Sequence, residues 1–183
     1  MFLMKTIVTG SNGQLGKTIK SIVQDSSAFI FTDINNLDIT KKKEIEFYVK
    51  TNKIDCIVNC AAYTNVDSAE IEKEKANKLN CNAVKNLVEI AENFQLRLIH
   101  ISTDYVYNGV DKSVISEYEH VNPQNYYGIS KLNGEKYINE SKSESIIIRT
   151  SWLYSSYGKN FVKTIIEKAK SENLLKIVGD QYG

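Results

Sequence analysis

Short apolar runs rich in Ile and Val recur along the chain at 4–9, 28–32, 54–59, 97–101 and 145–149, with a weaker one at 175–178. They are apolar on both parities, the pattern of strands that are covered on both faces. Between them lie longer stretches with helical spacing, near 14–24, 40–51, 67–93, 126–141 and 159–171. The third is the clearest, because Leu79, Ala83, Leu87, Ile90 and Phe94 step by three or four and form one stripe. Strand–helix alternation of this kind predicts a parallel sheet with right-handed crossovers, a doubly wound α/β domain. A length of 183 residues, 42% of them hydrophobic, suffices for the core of one such domain.

The formal net charge of +1 gives no global field toward nucleic acid or a membrane surface. No apolar run approaches membrane-spanning length, and the opening MFLMK is too short for a signal-peptide core. Three cysteines, without metal-ligand spacing, read as reduced thiols and hence as a cytoplasmic protein. Lys41-Lys42-Lys43 follows Thr40, a candidate helix N-cap, and reads as a solvated helix face rather than a basic patch. The one long irregular segment, 103–125, holds the only proline, Pro123, and has the length of a lid or binding loop.

Three glycines, Gly10, Gly13 and Gly16, sit between the first strand and the first helix. Gly10 permits a sharp turn, Gly13 lets backbone N–H groups approach a pyrophosphate, and Gly16 lets the helix pack on the sheet. The helix N-terminus then offers donors and partial positive charge to phosphates. Alone, the triplet is equally a strand–helix turn with no ligand. Two contexts favour dinucleotide binding: it is the first strand–turn–helix unit, and Asp33 ends the second strand about 20 positions on. Asp33 suits an adenosine ribose and repels a 2′-phosphate, which favours NADH over NADPH.

Tyr127 and Lys131 share a helix face. An ammonium beside the phenol is expected to lower the tyrosine pKa and make it a usable proton donor. Taken alone, this spacing is also that of an ordinary amphipathic surface helix. Ser102, Thr103 and Asp104 leave the fourth strand at its carboxyl end, where open α/β sheets bind ligands.

At this point the chain resembles the extended short-chain dehydrogenase/reductase superfamily and, within it, the dTDP-4-dehydrorhamnose reductases. The likeness runs through TGSNGQLG, LDIT, VNCAAYTNVDSAE, STDYVYNG, NYYGISKLNGE and RTSWLY, in order and at family-like spacing. It implies an NAD(P)-binding Rossmann fold over 1–150, with 151–183 beginning a substrate-binding part that is largely missing. It implies Thr103, Tyr127 and Lys131 as catalytic, and Gly10, Gly13, Gln14, Leu15 and Gly16 around the pyrophosphate. Asp33 would take the adenosine ribose, with Asp38 and Ile39 near adenine and Ala61, Ala62 and Tyr63 beside nicotinamide. Tyr127 and Lys131 would also touch the cofactor, while Thr64, Val66, Thr103, Asp104 and Trp152 would face the sugar nucleotide. Trp152, the only tryptophan, equally suits a core position.

The resemblance therefore implies hydride transfer from NADH or NADPH to C4 of dTDP-4-dehydro-L-rhamnose, for surface polysaccharide synthesis. In some members a metal ion assists a homodimer, so Mg2+ at an interface and a second copy are further implications. Sugar-nucleotide dehydratases place an Asp-Glu pair after the threonine, whereas Tyr105 follows Asp104 here. The 4-epimerases carry a serine-rich segment in place of STDYVY. Two other readings stay open: a non-catalytic regulator like the methionine adenosyltransferase regulatory subunit, and a reductase or epimerase of another nucleotide-linked keto sugar.

Overall fold

The computed structural model describes residues 4–23, 26–109, 114–177 and 179. Five parallel strands form one sheet: β1 (Thr6–Thr9), β2 (Phe29–Phe31), β3 (Cys56–Asn59), β4 (Arg97–Thr103) and β5 (Ser145–Thr150). Their order is β2-β1-β3-β4-β5. The order reverses between β1 and β3, so the crevice of a doubly wound sheet opens at the carboxyl ends of those two strands. The helices are α1 (Gln14–Ile22), α2 (Lys42–Asn52), α3 (Val66–Ile71), α4 (Lys73–Asn77), α5 (Ala83–Phe94), α6 (Tyr126–Asn139) and α7 (Phe161–Ala169). None of the described helices is long and apolar enough to cross a membrane.

The two-parity pattern is borne out at the sheet centre, where adjacent residues of opposite faces are both buried, Ile7 with Val8 and Ile57 with Cys56. Ile7, Ile57 and Leu98 pack with Ile45 and Val49 of α2 and with Val84, Leu87 and Ile90 of α5 in one buried cluster. β5 differs. Among the described residues it pairs only with β4, and Ile146 and Ile148 are exposed while Ile147 packs on the core, so one face of this edge strand is open. The described part of the weak run at 175–178 is not a strand, and Val178 lies outside the described residues.

Two local expectations need correction. Thr40 does not cap α2. Its N–H and hydroxyl both donate to Asp38 Oδ1, at 3.0 and 2.8 Å, in a turn that precedes the helix. The Lys41–Lys43 run is a solvated face, with Lys41 paired to Glu44 and Lys42 to Glu89. The helix expected over 67–93 is not continuous either: α3 and α4 break at Glu72, and Lys78–Asn82 forms a π-helical turn before α5. That turn carries Asn80, whose side chain accepts from the Tyr63 N–H at 2.8 Å and donates to the Tyr63 carbonyl at 3.0 Å. It also donates to Ser130 Oγ at 2.9 Å. One widened turn thus joins the β3 exit to α6.

α6 presses directly on this turn. A Cβ at Gly134 would stand 2.2 Å from the Asn80 carbonyl oxygen, so only glycine allows the approach. At its N-terminus Asn125 accepts from the Gly128 N–H at 2.8 Å, and Glu70 accepts from the Tyr126 N–H at 2.6 Å. The helix that bears Tyr127 and Lys131 is therefore fixed at its N-terminus and at Gly134.

Candidate active site

β1 hands the chain to Gly10, whose φ of +65° is left-handed. A Cβ there would meet Ala61 N at 2.6 Å, so the turn lies against the exit of β3. Gly13 is the N-cap of α1, and its N–H donates to the Gly10 carbonyl at 3.0 Å. The first i to i−4 bond runs from the Lys17 N–H to the Gly13 carbonyl, which leaves the N–H groups of Gln14, Leu15 and Gly16 ahead of the helix's own acceptors. They form the partially positive end of α1. Asp33 braces the turn from β2: its carboxylate accepts from the N–H of Asn12 and of Ile34, each at 2.9 Å.

A cavity of about 870 Å³ begins at this turn and continues past the ends of β3 and β4 to α6 and the 150–159 segment. Gly10, Gly13, Gln14 and Leu15 line its first part, with Asp33, Asp38 and Ile39 beside them. Ala61, Ala62, Thr64 and Val66 line the middle, and Thr103, Asp104, Tyr127, Lys131 and Trp152 the far wall. Two expected residues stand outside. Gly16 is buried beneath the turn against Ser11, which is a packing role. Tyr63 is turned away, its hydroxyl donating to Glu72 at 2.6 Å. Of the 103–125 segment, only Thr103, Asp104 and Tyr105 line the cavity, and residues 110–113 lie outside the described residues.

Burial works against the Asp38 carboxylate, but bonds from Thr40 and the charges of Lys41 and Lys78 hold its pKa below the ordinary value. Trp152, with φ of +50°, is half exposed and meets Phe161 edge-on at 5.3 Å, so it is not a core aromatic. Gln14 donates to the Leu153 carbonyl at 2.8 Å and accepts from Asn160 at 2.9 Å, tying the glycine turn to the far wall.

At the far wall the Tyr127 phenol lies near the Thr103 side chain, and its ring meets Tyr105 edge-on at 5.7 Å. Thr103 in turn donates to Asp104 Oδ1 at 3.0 Å. Lys131 corrects an expectation. Its Nζ donates to the Ile101 carbonyl at 2.7 Å and stands 3.2 Å from His100 Nε2, rather than beside the phenol. Tyr127 is accordingly raised above the ordinary tyrosine pKa, by burial first and by Asp104 and Tyr105 after it, with Thr103 opposing. Burial lowers Lys131 to about 8, against the pull of Glu135 and Cys60. The Cys60 thiol beside it is pushed up to about 11 by burial. This is no ordinary surface helix: Ser130, Lys131 and Glu135 are all buried.

The family model described as RmlD substrate binding domain matches residues 4–183. The chain belongs to that family. This RmlD-family chain is 37% identical to a dTDP-4-dehydrorhamnose reductase of Aggregatibacter actinomycetemcomitans, over 99% of its own length and 62% of the relative's. A solved dTDP-4-dehydrorhamnose reductase ortholog of Clostridium acetobutylicum superposes with a TM-score of 0.91 at 40% identity, covering 96% of this chain and 62% of that one. A Bacillus anthracis dTDP-4-dehydrorhamnose reductase, solved in complex with NADP, gives 0.89 at 36% identity over 93% and 61%. The chain thus spans about three fifths of the length of the relatives it matches.

Sequence reasoning passed over several groups that complete the site. Lys75, Lys78 and Lys159 bring positive charge to the cavity lining. Behind the far wall, Glu135 and Arg149 form a buried bidentate pair, with Arg149 Nε and Nη2 donating to the two carboxylate oxygens at 3.1 and 2.6 Å. His100 lies two residues before STDYVYNG, inside the apolar run at 97–101, where a histidine in a two-sided apolar strand was the available signal. Among the described residues, no group of three or more His, Cys, Asp or Glu could hold a metal ion, so the Mg2+ expectation finds no cluster there.

Proposed function

We propose that this chain carries the cofactor site and catalytic trio of a reductase that acts on the C4 ketone of dTDP-4-dehydro-L-rhamnose and serves polysaccharide synthesis in the cytoplasm. Residues 1–150 are the dinucleotide-binding part and 151–183 begin the substrate-binding part. What supports the reading is one observation: the glycine turn and the side chains of Thr103 and Tyr127 line the same cavity. The fit to a dinucleotide rests on the donor set. The N–H groups of Gln14 and Leu15, which line the cavity at the start of α1, suit a pyrophosphate. Asp33 suits a ribose, and Leu37, Ile39 and Leu79 supply an apolar surface for adenine. When bound, the nicotinamide supplies the hydride.

Tyr127 gives its proton to the oxygen of the ketone as charge develops there, and the Thr103 hydroxyl hydrogen-bonds that oxygen. The raised pKa of Tyr127 keeps the phenol protonated at neutral pH, as a proton donor requires. Lys131 holds the cofactor's ribose beside it, and Asp104 and Trp152 face the sugar nucleotide. The Asp33 charge tilts the preference to NADH. The test is loss of reduced-nicotinamide absorbance when the keto-sugar nucleotide is added to the full-length protein. Turnover with NADH exceeding that with NADPH is expected, and Asp33→Ser should narrow that gap. No turnover with either cofactor overturns the reading.

A further inference from the structure

The stretch between β5 and α7 brings Trp152, Leu153, Gly158 and Lys159 to the cavity wall, yet little apolar packing holds it. Trp152, Leu153 and Tyr154 are all exposed, and α7 buries none of its residues. Its place is set by polar ties. Among the described residues, those that reach across the cavity run from Ser151 Oγ to Asp104, at 3.0 Å, and through one side chain, Gln14. The Gln14 amide belongs to a chain of donors whose direction is fixed. The Lys163 N–H donates to Asn160 Oδ1 at 3.1 Å, so the other amide atom of Asn160 is its NH₂. That NH₂ donates to Gln14 Oε1 at 2.9 Å and to the Ser155 carbonyl at 2.8 Å. The Gln14 NH₂ in turn donates to the Leu153 carbonyl at 2.8 Å. Leu153 directly follows Trp152, and Asn160 directly precedes Phe161, which meets the Trp152 ring edge-on. Both flanks of the stretch therefore close on the first residue of α1.

We propose that the Gln14 side chain is a positioning residue for the sugar-nucleotide side of the site. Through Leu153 and Asn160 it sets where Trp152 stands, while its backbone N–H serves the pyrophosphate. The inference rests on reading Trp152 as facing the sugar nucleotide. A half-exposed ring on a backbone of positive φ keeps one place only if its flanks are held. Drift of about 1 Å in a group that orients substrate is enough to weaken its action. A phosphate-binding glutamine would aim its NH₂ at the glycine turn, whereas here the NH₂ is aimed at Leu153. A glutamine kept for packing would need its volume alone, since Gly158 comes close enough that a Cβ there would stand 3.3 Å from Gln14 Cβ. Methionine supplies that volume without the amide.

The test is Gln14→Met in the full-length protein, which keeps the backbone N–H and removes both side-chain bonds. The KM of the keto-sugar nucleotide should rise roughly tenfold, the combined effect of two ordinary hydrogen bonds, with kcat and the dinucleotide Kd within about twofold. Asn160→Ser keeps an N-cap on α7 but no longer reaches Gln14. It should raise KM as well, and the double variant should add little to the larger single change. A second readout needs no turnover. In protein labelled with fluorotryptophan, the fluorine resonance of Trp152, assigned by its loss in Trp152→Phe, should be displaced in both variants. A merely structural Gln14 would lower Tm and leave KM and that resonance in place, which overturns the proposal. So does a dinucleotide Kd weakened about tenfold with KM unmoved, the mark of a side chain that holds phosphate. Should Gln14→Met not fold, Asn160→Ser decides. Absence of reductase turnover in the wild type, with the Trp152 resonance displaced in the variants, would count against the function and not against this tie.

Discussion

Replacing Glu135 by Gln keeps the shape of a fully buried side chain and removes its charge. In the native protein Oε1 accepts from the Ser102 hydroxyl and from Arg149 Nε, and Oε2 accepts from Arg149 Nη2. A glutamine has one oxygen for two guanidinium donors, so its NH₂ must confront an N–H of Arg149. Breaking a buried ion pair from one side typically costs about 3–5 kcal/mol. The Arg149 side chain is 20% exposed and can recover some solvation, which places the expected loss near the lower end, about 3 kcal/mol. For a chain of this size that corresponds to a fall in Tm of roughly 6–12 °C, out of a total stability on the order of 5–15 kcal/mol.

The assay is urea and thermal unfolding of Glu135→Gln, of Arg149→Met, and of the apolar pair Glu135→Leu with Arg149→Met. The double variant should be less destabilised than the sum of its two single changes, because no uncompensated charge is left behind. Arg149 also donates to the Tyr107 hydroxyl at 2.7 Å and to the Glu117 carbonyl at 3.3 Å. Its loss should therefore expose the segment after Tyr107 to protease, while Glu135→Gln should not to the same degree. A single-variant loss below about 1 kcal/mol, the value of an exposed pair, would refute the reasoning, as would strict additivity.

Tyr127→Phe should cut kcat by roughly 10²–10⁴ with cofactor affinity little changed, measured by steady-state turnover beside cofactor titration. Gly10→Ala should cost about 1–2 kcal/mol for the left-handed backbone alone, and its Cβ would strike Ala61, so dinucleotide binding should be lost in a calorimetric titration. Lys131 is lowered in the folded chain to about 8 from 10.5, so between those values the unfolded chain holds the proton that the folded one has released, and stability rises with pH. The gain is about 3 kcal/mol at most, and denaturant melts across pH 8–10 should show it in the wild type and not in Lys131→Met.

The strands were legible because each is a local apolar run, and the central ones are also covered on both faces, as the burial of adjacent Ile7 and Val8 and of Cys56 and Ile57 shows. The glycine turn was legible because its constraint is local too: Gly10 needs a positive φ whatever packs around it. The breaks in the 67–93 helix were not legible, since they serve Asn80's bonds to Tyr63 and Ser130, partners far away in sequence. Lys131 shows the same limit from another side. Its spacing from Tyr127 places both on one face of α6, yet the direction of its amine is decided by Ile101 and His100 on β4.

A signal was nonetheless present in α6. Tyr126–Asn139 lacks an apolar stripe, yet it packs between the π-turn and the sheet and buries Ser130, Lys131 and Glu135. Burying two ionisable side chains in one helix is costly unless each finds a partner. Here Glu135 has Arg149 and Ser102, and Lys131 has a carbonyl and an imidazole. A helix that breaks binary patterning but is pinned by Gly134 against another backbone has been placed for its polar groups rather than for its packing. If stability alone governed α6, apolar replacement at Lys131 and Glu135 together with Arg149 would cost little and leave turnover intact. The arrangement described above requires such a chain to fold and yet fail in hydride transfer.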